Sequence, residues 1–270
     1  MGNDSLKKTF LVTILLSLVC SILVSGAAVI LKPKQEQNVV LDVQRNILGI
    51  SGLTKDAKSL NADQVHDLFK QVKPRLVDLK TGQFIDKTPN GITVDNYDQR
   101  MAAKDPKASQ TLPGAKDIAG IKRQANVAKV YLVEKNGKMD RIVLPVHGYG
   151  LWSTMYGFLA LDASDMNTVV GFGFYEQGET PGLGGEVDNP IWKNKWPGKQ
   201  IYSTNGDVAM SVVKGGVDPS SPQAVNQIDG LAGATLTSNG VSNLIKFWMG
   251  KNGFEPLLSN LKSNLKAGGA

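Results

Sequence analysis

The stretch Val127-Ala-Lys-Val-Tyr-Leu-Val133, the turn Asn136-Gly137 and the return Arg141-Ile-Val-Leu-Pro-Val146 decide the fold class. Both arms are rich in β-branched and aliphatic residues. Asn-Gly is a favoured two-residue hairpin turn because both positions accept positive φ. Strands joined this tightly run antiparallel, whereas a parallel pair needs a long crossover. Pro145 predicts that the second arm ends there or lies at an edge, since proline donates nothing to a strand ladder.

Outward from the hairpin, Met155–Leu161 and Val169–Tyr175 read as two more strands, joined by the turn-like Asp162-Ala-Ser-Asp-Met-Asn167. Val208–Val213 alternates apolar positions and predicts another. Upstream, Leu76–Phe84 reads as a short strand pair around Thr81-Gly82. Asn61–Lys73 predicts a helix with Val65, Leu68, Phe69 and Val72 on one face, a capping box from Asn61 and Gln64, and Pro74 as the stop. His66 beside that face reads as a solvated or capping residue. Thr88–Gly120, rich in Asp, Lys, Asn, Pro and Gly, predicts a long surface excursion. The class is α+β, an antiparallel or mixed sheet with flanking helices, and not a doubly wound fold.

At the N-terminus, Thr9–Leu31 carries no charge and is mostly apolar. As a helix it would extend roughly 34 Å, enough for a bilayer core. Lys7 and Lys8 precede it; Lys32 and Lys34 follow. Ser25-Gly-Ala27 offers a small-residue cleavage site, but the apolar run exceeds a usual signal-peptide core, which favours an uncleaved anchor. Val19 stands where a lipoprotein signal needs a small residue before Cys20. With one span near the start, the expected topology is N-terminus in the cytoplasm and the following domain outside it. Val39–Leu48 predicts a juxtamembrane helix, interrupted by Gly49 and Gly52.

The remaining composition narrows the chemistry. One Cys and two His leave too few ligands for a Cys/His zinc or iron–sulfur centre, and an internal disulfide is impossible. The formal charge of +6 is spread over membrane flanks and surface lysines, with no nucleic-acid-reading motif or long basic tract, so nucleic acid is not an expected partner. No stretch gives a dinucleotide fingerprint or a phosphate loop of the nucleotide-triphosphate type.

One Gly-rich and hydroxyl-rich stretch stands out: Asp229-Gly-Leu-Ala-Gly-Ala-Thr-Leu-Thr-Ser-Asn-Gly240. After it, Val241, Leu244, Ile245, Trp248 and Met249 fall on one helical face. With Thr237, Ser238 or Asn239 as N-cap, Thr235 would sit just ahead of a helix N-terminus, where free N–H groups and the helix dipole welcome a phosphate. Taken by itself, that spacing also suits an ordinary glycine-rich loop and cap. Three further loops fall at ends of predicted elements: His147–Ser153, Glu176–Glu186 and Lys214–Gly216. Glu176, Glu179 and Glu186 could form a carboxylate set for acid–base or metal work, or line a solvated turn. His147 and Ser153 lack an evident triad partner. Lys214 could neutralise a phosphate or a reduced flavin, or be a plain strand-end lysine. The four tryptophans suit a core, with room for one edge-on to a planar ligand.

Asp229-Gly-Leu-Ala-Gly-Ala-Thr235 resembles the flavinylation motif Asp-x-x-Ser/Thr-Gly-Ala-Thr. Gly150-Leu-Trp-Ser-Thr-Met-Tyr-Gly157 and Tyr175-Glu-Gln-Gly-Glu-Thr-Pro-Gly-Leu-Gly184 are similar to loops of the covalent FMN-binding family, which includes the singly anchored flavin component of the bacterial Na+-translocating NADH:quinone reductases. The related flavin component of Rnf electron-transport complexes shares the acceptor motif. The resemblance implies FMN joined through a phosphoester to Thr235, with Thr180, Gly182, Leu183, Trp152, Ser153, Lys214, Gly233, Ala234, Leu236 and Thr237 around it. Asp229 would be a recognition or metal-binding residue during attachment. An Mg2+-dependent FAD:protein FMN transferase and the other subunits of the membrane complex are the implied partners. The implied location is the bacterial inner membrane, single-pass, with the FMN domain in the periplasm. Ala232 departs from the motif, which has Ser or Thr there. The alternative is a cofactor-free, membrane-anchored assembly module. The expected division is 1–8 cytoplasmic, 9–31 transmembrane, 32–125 membrane-proximal helices and loops, 126–255 FMN-binding domain and 256–270 C-terminal tail.

Overall fold

The computed structural model describes residues 5–266. The outermost residues of the expected N-terminal segment (1–4) and C-terminal tail (267–270) lie outside them. In chain order the elements are α1 (Leu6–Ile50), α2 (Ala62–Phe69), β1 (Val72–Asp78), β2 (Gln83–Ile85), α3 (Gln99–Lys104), β3 (Ser109–Thr111), β4 (Arg123–Ala125), β5 (Val127–Lys135), β6 (Lys138–Tyr149), β7 (Thr154–Asp162), β8 (Val169–Glu176), α4 (Pro190–Lys193), β9 (Ser211–Val212), β10 (Gln227–Ile228), α5 (Thr235–Met249) and α6 (Glu255–Lys266). Residues 1–43 and 44–270 form separate compact units.

The first unit carries most of α1. An 18-residue window of this helix reaches a mean hydropathy of 2.7 with none of it buried, so it is long and apolar enough for a single membrane span. Two of its hydroxyls bond within the helix: Thr13 donates to the Thr9 carbonyl and Ser21 to that of Leu18. That is how a span keeps polar groups paired in hydrocarbon. The expected juxtamembrane helix is no separate element. It continues α1 through Pro33, which removes one backbone donor without ending the helix.

The second unit is built on a six-stranded sheet of order β2-β1-β5-β6-β7-β8, antiparallel at every neighbour. Asn136 and Gly137 turn the central hairpin at φ +53° and +74°. Of the two expectations for Pro145, a strand end there does not hold: β6 passes through it. It runs on to Tyr149, with Pro145 opposite Phe158 of β7. The β5–β6 pairing ends at Tyr131–Val143, so at Pro145 no β5 partner is left short of a donor.

Pro74 corrects the upstream helix in the same way. The Asn61–Gln64 capping box is present, but α2 stops at Phe69, and Val72, Lys73 and Pro74 belong to β1. Pro74 precedes Leu76, the first β1 residue paired to β2. Val208–Val213 is also not a strand of the main sheet: Ser211–Val212 pairs in parallel with β10, and Val208 makes a lone antiparallel bridge to Tyr202. The excursion 88–120 does more than cross the surface. Tyr97 is buried with Leu76 and Val127, and its hydroxyl donates to the Val127 carbonyl at 2.6 Å.

The main core lies between the sheet and α5. Val241, Leu244, Ile245, Trp248 and Met249 are fully buried, as their helical spacing requires. Trp248 also donates its indole N–H to the His147 carbonyl of β6 at 2.7 Å, fixing the helix along that strand. The residues expected as a tail form α6, which buries Leu257 and Leu258 in this core.

Candidate functional site

Helix α5 begins at Thr235, with Ala234 in the N-cap position and no side chain capping it. The expected cap at Thr237, Ser238 or Asn239 is therefore one helical turn too late. Thr237 and Ser238 are buried, and their hydroxyls serve tertiary contacts. Ser238 Oγ accepts the Leu231 N–H at 3.1 Å, and Thr237 Oγ1 donates to Glu179 Oε2 at 2.6 Å. Thr235 itself is exposed, in a first turn whose N–H groups point outward without a side-chain acceptor. Beside it is a small cavity of about 40 Å³, lined in part by Lys214, Gly215, Gly230, Ser238 and Asn239.

Glu179 ties the surrounding loops to this helix end. The residue is buried, 5% exposed. Leu151, Trp152 and Ser153, in the turn between β6 and β7, all donate their N–H groups to it at 3.0–3.1 Å. Burial opposes ionisation of Glu179, but the Thr237 hydroxyl and the three N–H donors hold its pKa below the usual value. Ser153 Oγ accepts the Gly178 N–H at 2.7 Å, a second tie between the same loops.

The Thr180-Pro-Gly-Leu183 turn closes on itself: Leu183 and Gly185 donate to the Thr180 carbonyl at 3.1 and 2.9 Å, with Gly182 at φ +76°. Gly184 lies against Glu179 and Thr237 so closely that a Cβ there would stand 2.5 Å from Thr237 Oγ1. A Cβ on Gly233 would stand 2.9 Å from Leu183 Cδ2, which puts the 180–183 turn beside the 229–235 loop.

The loops expected to form one site are thus together. Thr180, Gly182, Gly233, Thr235 and Lys214 lie exposed, with Lys214 on the small cavity. Trp152 (66%), Leu236 (57%) and Leu183 (43%) expose unusually large apolar surface for a folded domain. Ala234 is buried, Ser153 is a loop tie, and Thr237 supports the site from beneath. Asp229 accepts from Lys195 Nζ and from the Val217 N–H, and these contacts lower its pKa, the Lys195 bond most.

Two groupings weighed from the sequence do not form. Glu176 makes a bidentate pair with Arg100 at 2.6 and 2.8 Å, Glu186 accepts from Asn189, and Glu179 faces inward. Among the described residues no cluster of His, Cys, Asp or Glu is arranged to hold a metal. His147 packs between Tyr156 and Trp248, while Ser153 bonds Gly178, so no hydrolytic pair exists. Sequence reasoning missed Glu179 as the residue joining three segments, and it missed Lys195 altogether. Neither carries a local signal, since each acts on residues more than twenty positions away. Larger clefts of about 430, 450 and 380 Å³ lie along β6–β8, beneath α3 and around the end of α1 at Arg45–Ile50, and none of the three includes Thr235.

A profile of the FMN-binding domain matches residues 150–250, the segment that supplies all these loops. The chain is 54% identical to the C subunit of the Na(+)-translocating NADH-quinone reductase of Pseudomonas aeruginosa, over 97% of this chain and 98% of that protein. The corresponding protein of Yersinia pestis is 47% identical, over 97% and 95%. Among solved structures, the NqrC of Shewanella oneidensis superposes with a TM-score of 0.71 at 39% identity, covering 82% of this chain and 98% of that one. The corresponding protein of Parabacteroides distasonis superposes with a TM-score of 0.62 at 25% identity, covering 85% and 97%.

Proposed function

Because the chain belongs to the NqrC family of the Na+-translocating NADH:quinone reductases, whose relatives it matches from end to end, we propose that its FMN is carried as a phosphoester on Thr235. The single observation that carries this reading is the exposed Thr235 hydroxyl in the first turn of an uncapped 15-residue helix, beside a small cavity shared with Lys214. Outward-pointing N–H groups, the positive end of the helix dipole and a lysine are what a phosphate needs. The exposed side chains of Trp152, Leu183 and Leu236 fit the flat, largely apolar ring of a flavin.

The attachment is a transfer from FAD. Thr235 Oγ bonds to the FMN phosphorus, the pyrophosphate bond breaks, AMP leaves, and the hydroxyl proton passes to a base of the transferase. Threonine is a weak nucleophile unaided, hence the separate Mg2+-dependent FAD:protein FMN transferase. When bound, the flavin supplies the redox chemistry, exchanging electrons between other carriers of the complex. The residues of this chain anchor its phosphate, pack its ring and leave an edge open to partner subunits. Na+ movement belongs to those partners, since the α1 span has no charged residue from Thr9 to Leu31. The N-terminus is cytoplasmic and the FMN domain periplasmic, which gives an extracytoplasmic transferase access to Thr235.

The Rnf alternative gives way to the full-length match with the Na(+)-translocating NADH-quinone reductase proteins. The test is Thr235→Ala, co-expressed with the transferase. Wild type should show flavin fluorescence after denaturing electrophoresis and an intact-mass gain equal to FMN less water. Retention of both signals by Thr235→Ala would overturn the assignment.

A further inference from the structure

Asp229 opens the acceptor motif, yet both of its carboxylate oxygens are engaged within the chain. Oδ2 is closed by the Lys195 ammonium, and Oδ1 accepts the Val217 N–H at 2.7 Å. Its backbone carbonyl accepts the Trp192 indole N–H at 2.9 Å. These partners come from two separate places, the segment around α4 and the segment after β9. Backbone bonds continue the seam on either side: Val213 N–H to the Ile228 carbonyl at 2.9 Å, and Gly230 N–H to that of Gly215 at 2.8 Å. The segment held this way carries Lys214 and Gly215 into the wall of the small cavity beside Thr235. The pair is part-buried, with 38% of the Lys195 side chain and 28% of the Asp229 side chain exposed. It is better shielded from solvent than an ordinary surface ion pair.

We infer that Lys195 is a positioning residue for FMN attachment: its pair with Asp229 is a latch that seats residues 213–217, and Lys214 with them, against the acceptor cavity. This rests on the reading of Thr235 as acceptor. It assigns Asp229 a role inside the folded chain, in place of a free carboxylate waiting for the transferase. The two assignments predict opposite effects when Lys195 is removed. A latch opened at Lys195 disorganises the acceptor and slows the transfer. A carboxylate needed by the transferase is released by the same change and is used at least as fast.

The experiment takes full-length apo-protein in detergent with transferase, FAD and Mg2+, and follows FMN incorporation by in-gel fluorescence and intact mass. Lys195→Met should slow the initial rate about tenfold or more, the scale on which a misplaced reacting group is felt. Lys195→Arg, which keeps the cation, should restore most of the rate. Hydrogen exchange supplies a readout that needs no cofactor. The Val217 and Gly230 amides should exchange faster in Lys195→Met but not in Lys195→Arg, while the β5–β8 amides stay protected in both. Incorporation by Lys195→Met at the wild-type rate or above would overturn the latch. Wild type gaining no FMN mass would instead sink the reading of Thr235, and the latch as a device for attachment with it. Unchanged exchange at Val217 and Gly230 would sink the latch alone.

Discussion

The Thr237 hydroxyl donates to Glu179 Oε2 at 2.6 Å, two residues beyond Thr235 in the first turn of α5. The same carboxylate collects three successive N–H groups from the β6–β7 turn. One buried side chain therefore makes a rigid unit of the helix end and two loops. A site built of loops needs such support, because loops alone rarely hold side chains to within a fraction of an ångström.

Glu179→Ala should be among the most damaging single changes in the domain. It leaves three N–H groups and a hydroxyl without their acceptor, at a cost of about 2–4 kcal/mol. Glu179→Gln keeps one accepting oxygen and should cost less. Urea denaturation of the detergent-solubilised protein measures both. An unchanged midpoint for Glu179→Ala would contradict the role assigned to this residue.

Stability should fall in mild acid, in two windows. His147 is largely enclosed, and burial, with help from Arg100, pushes its pKa down from 6.5 to about 4. The unfolded chain then binds more protons between those values, so stability drops as pH falls from 6.5 towards 4, by at most about 3.4 kcal/mol. His147→Phe keeps a ring between Tyr156 and Trp248 and should flatten that window. Glu179 acts lower down. Its folded pKa lies below the ordinary 4.5, so its contribution is present above 4.5 and is lost as pH falls through the folded value. Thermal melts from pH 7 to pH 3.5 would separate the two, and a wild-type curve flat from pH 6.5 to 4.5 would refute the first.

Gly240→Ala should destabilise, against the usual rule. Alanine in a helix interior normally gains about 1 kcal/mol over glycine. At Gly240 the added Cβ would stand 2.5 Å from the Tyr149 carbonyl, so α5 would have to move off the β6–β7 turn. Gly26 in α1 has nothing within 4 Å of its Cβ position, and Gly26→Ala should be neutral or mildly stabilising. Melting temperatures shifting in the same direction for both variants would refute the packing argument.

Ala232→Ser restores the hydroxyl usual at that place in the flavinylation motif. Ala232 is exposed, and FMN incorporation should stay within about twofold of wild type, as expected of a surface change without a partner. A gain of tenfold, read by in-gel fluorescence at limiting transferase, would show that the hydroxyl matters to attachment.

The sequence by itself determined the elements whose signals are local. The Asn136-Gly137 turn fixes the hairpin because few residues tolerate two positive φ angles. The apolar run of α1 and the one-sided spacing from Val241 to Met249 fix a span and a packed helix through period and length alone. The Asp229–Thr235 motif, with its companion loops, pointed to the family and singled out Thr235 as the expected acceptor. Tertiary structure decided everything that turns on who the neighbour is. Pro74 and Pro145 look like stops in a one-dimensional reading, yet both lie inside strands, because at each one the pairing to one neighbouring strand is absent. Hydroxyls that looked like helix caps at Thr237 and Ser238 are drawn inward by Glu179 and Leu231. The Glu179 nest spans 58 residues to Thr237, and the Lys195–Asp229 pair spans 34. Periodicity and propensity act over a few residues, and contacts at such separations exist only once the sheet and α5 have brought the loops together.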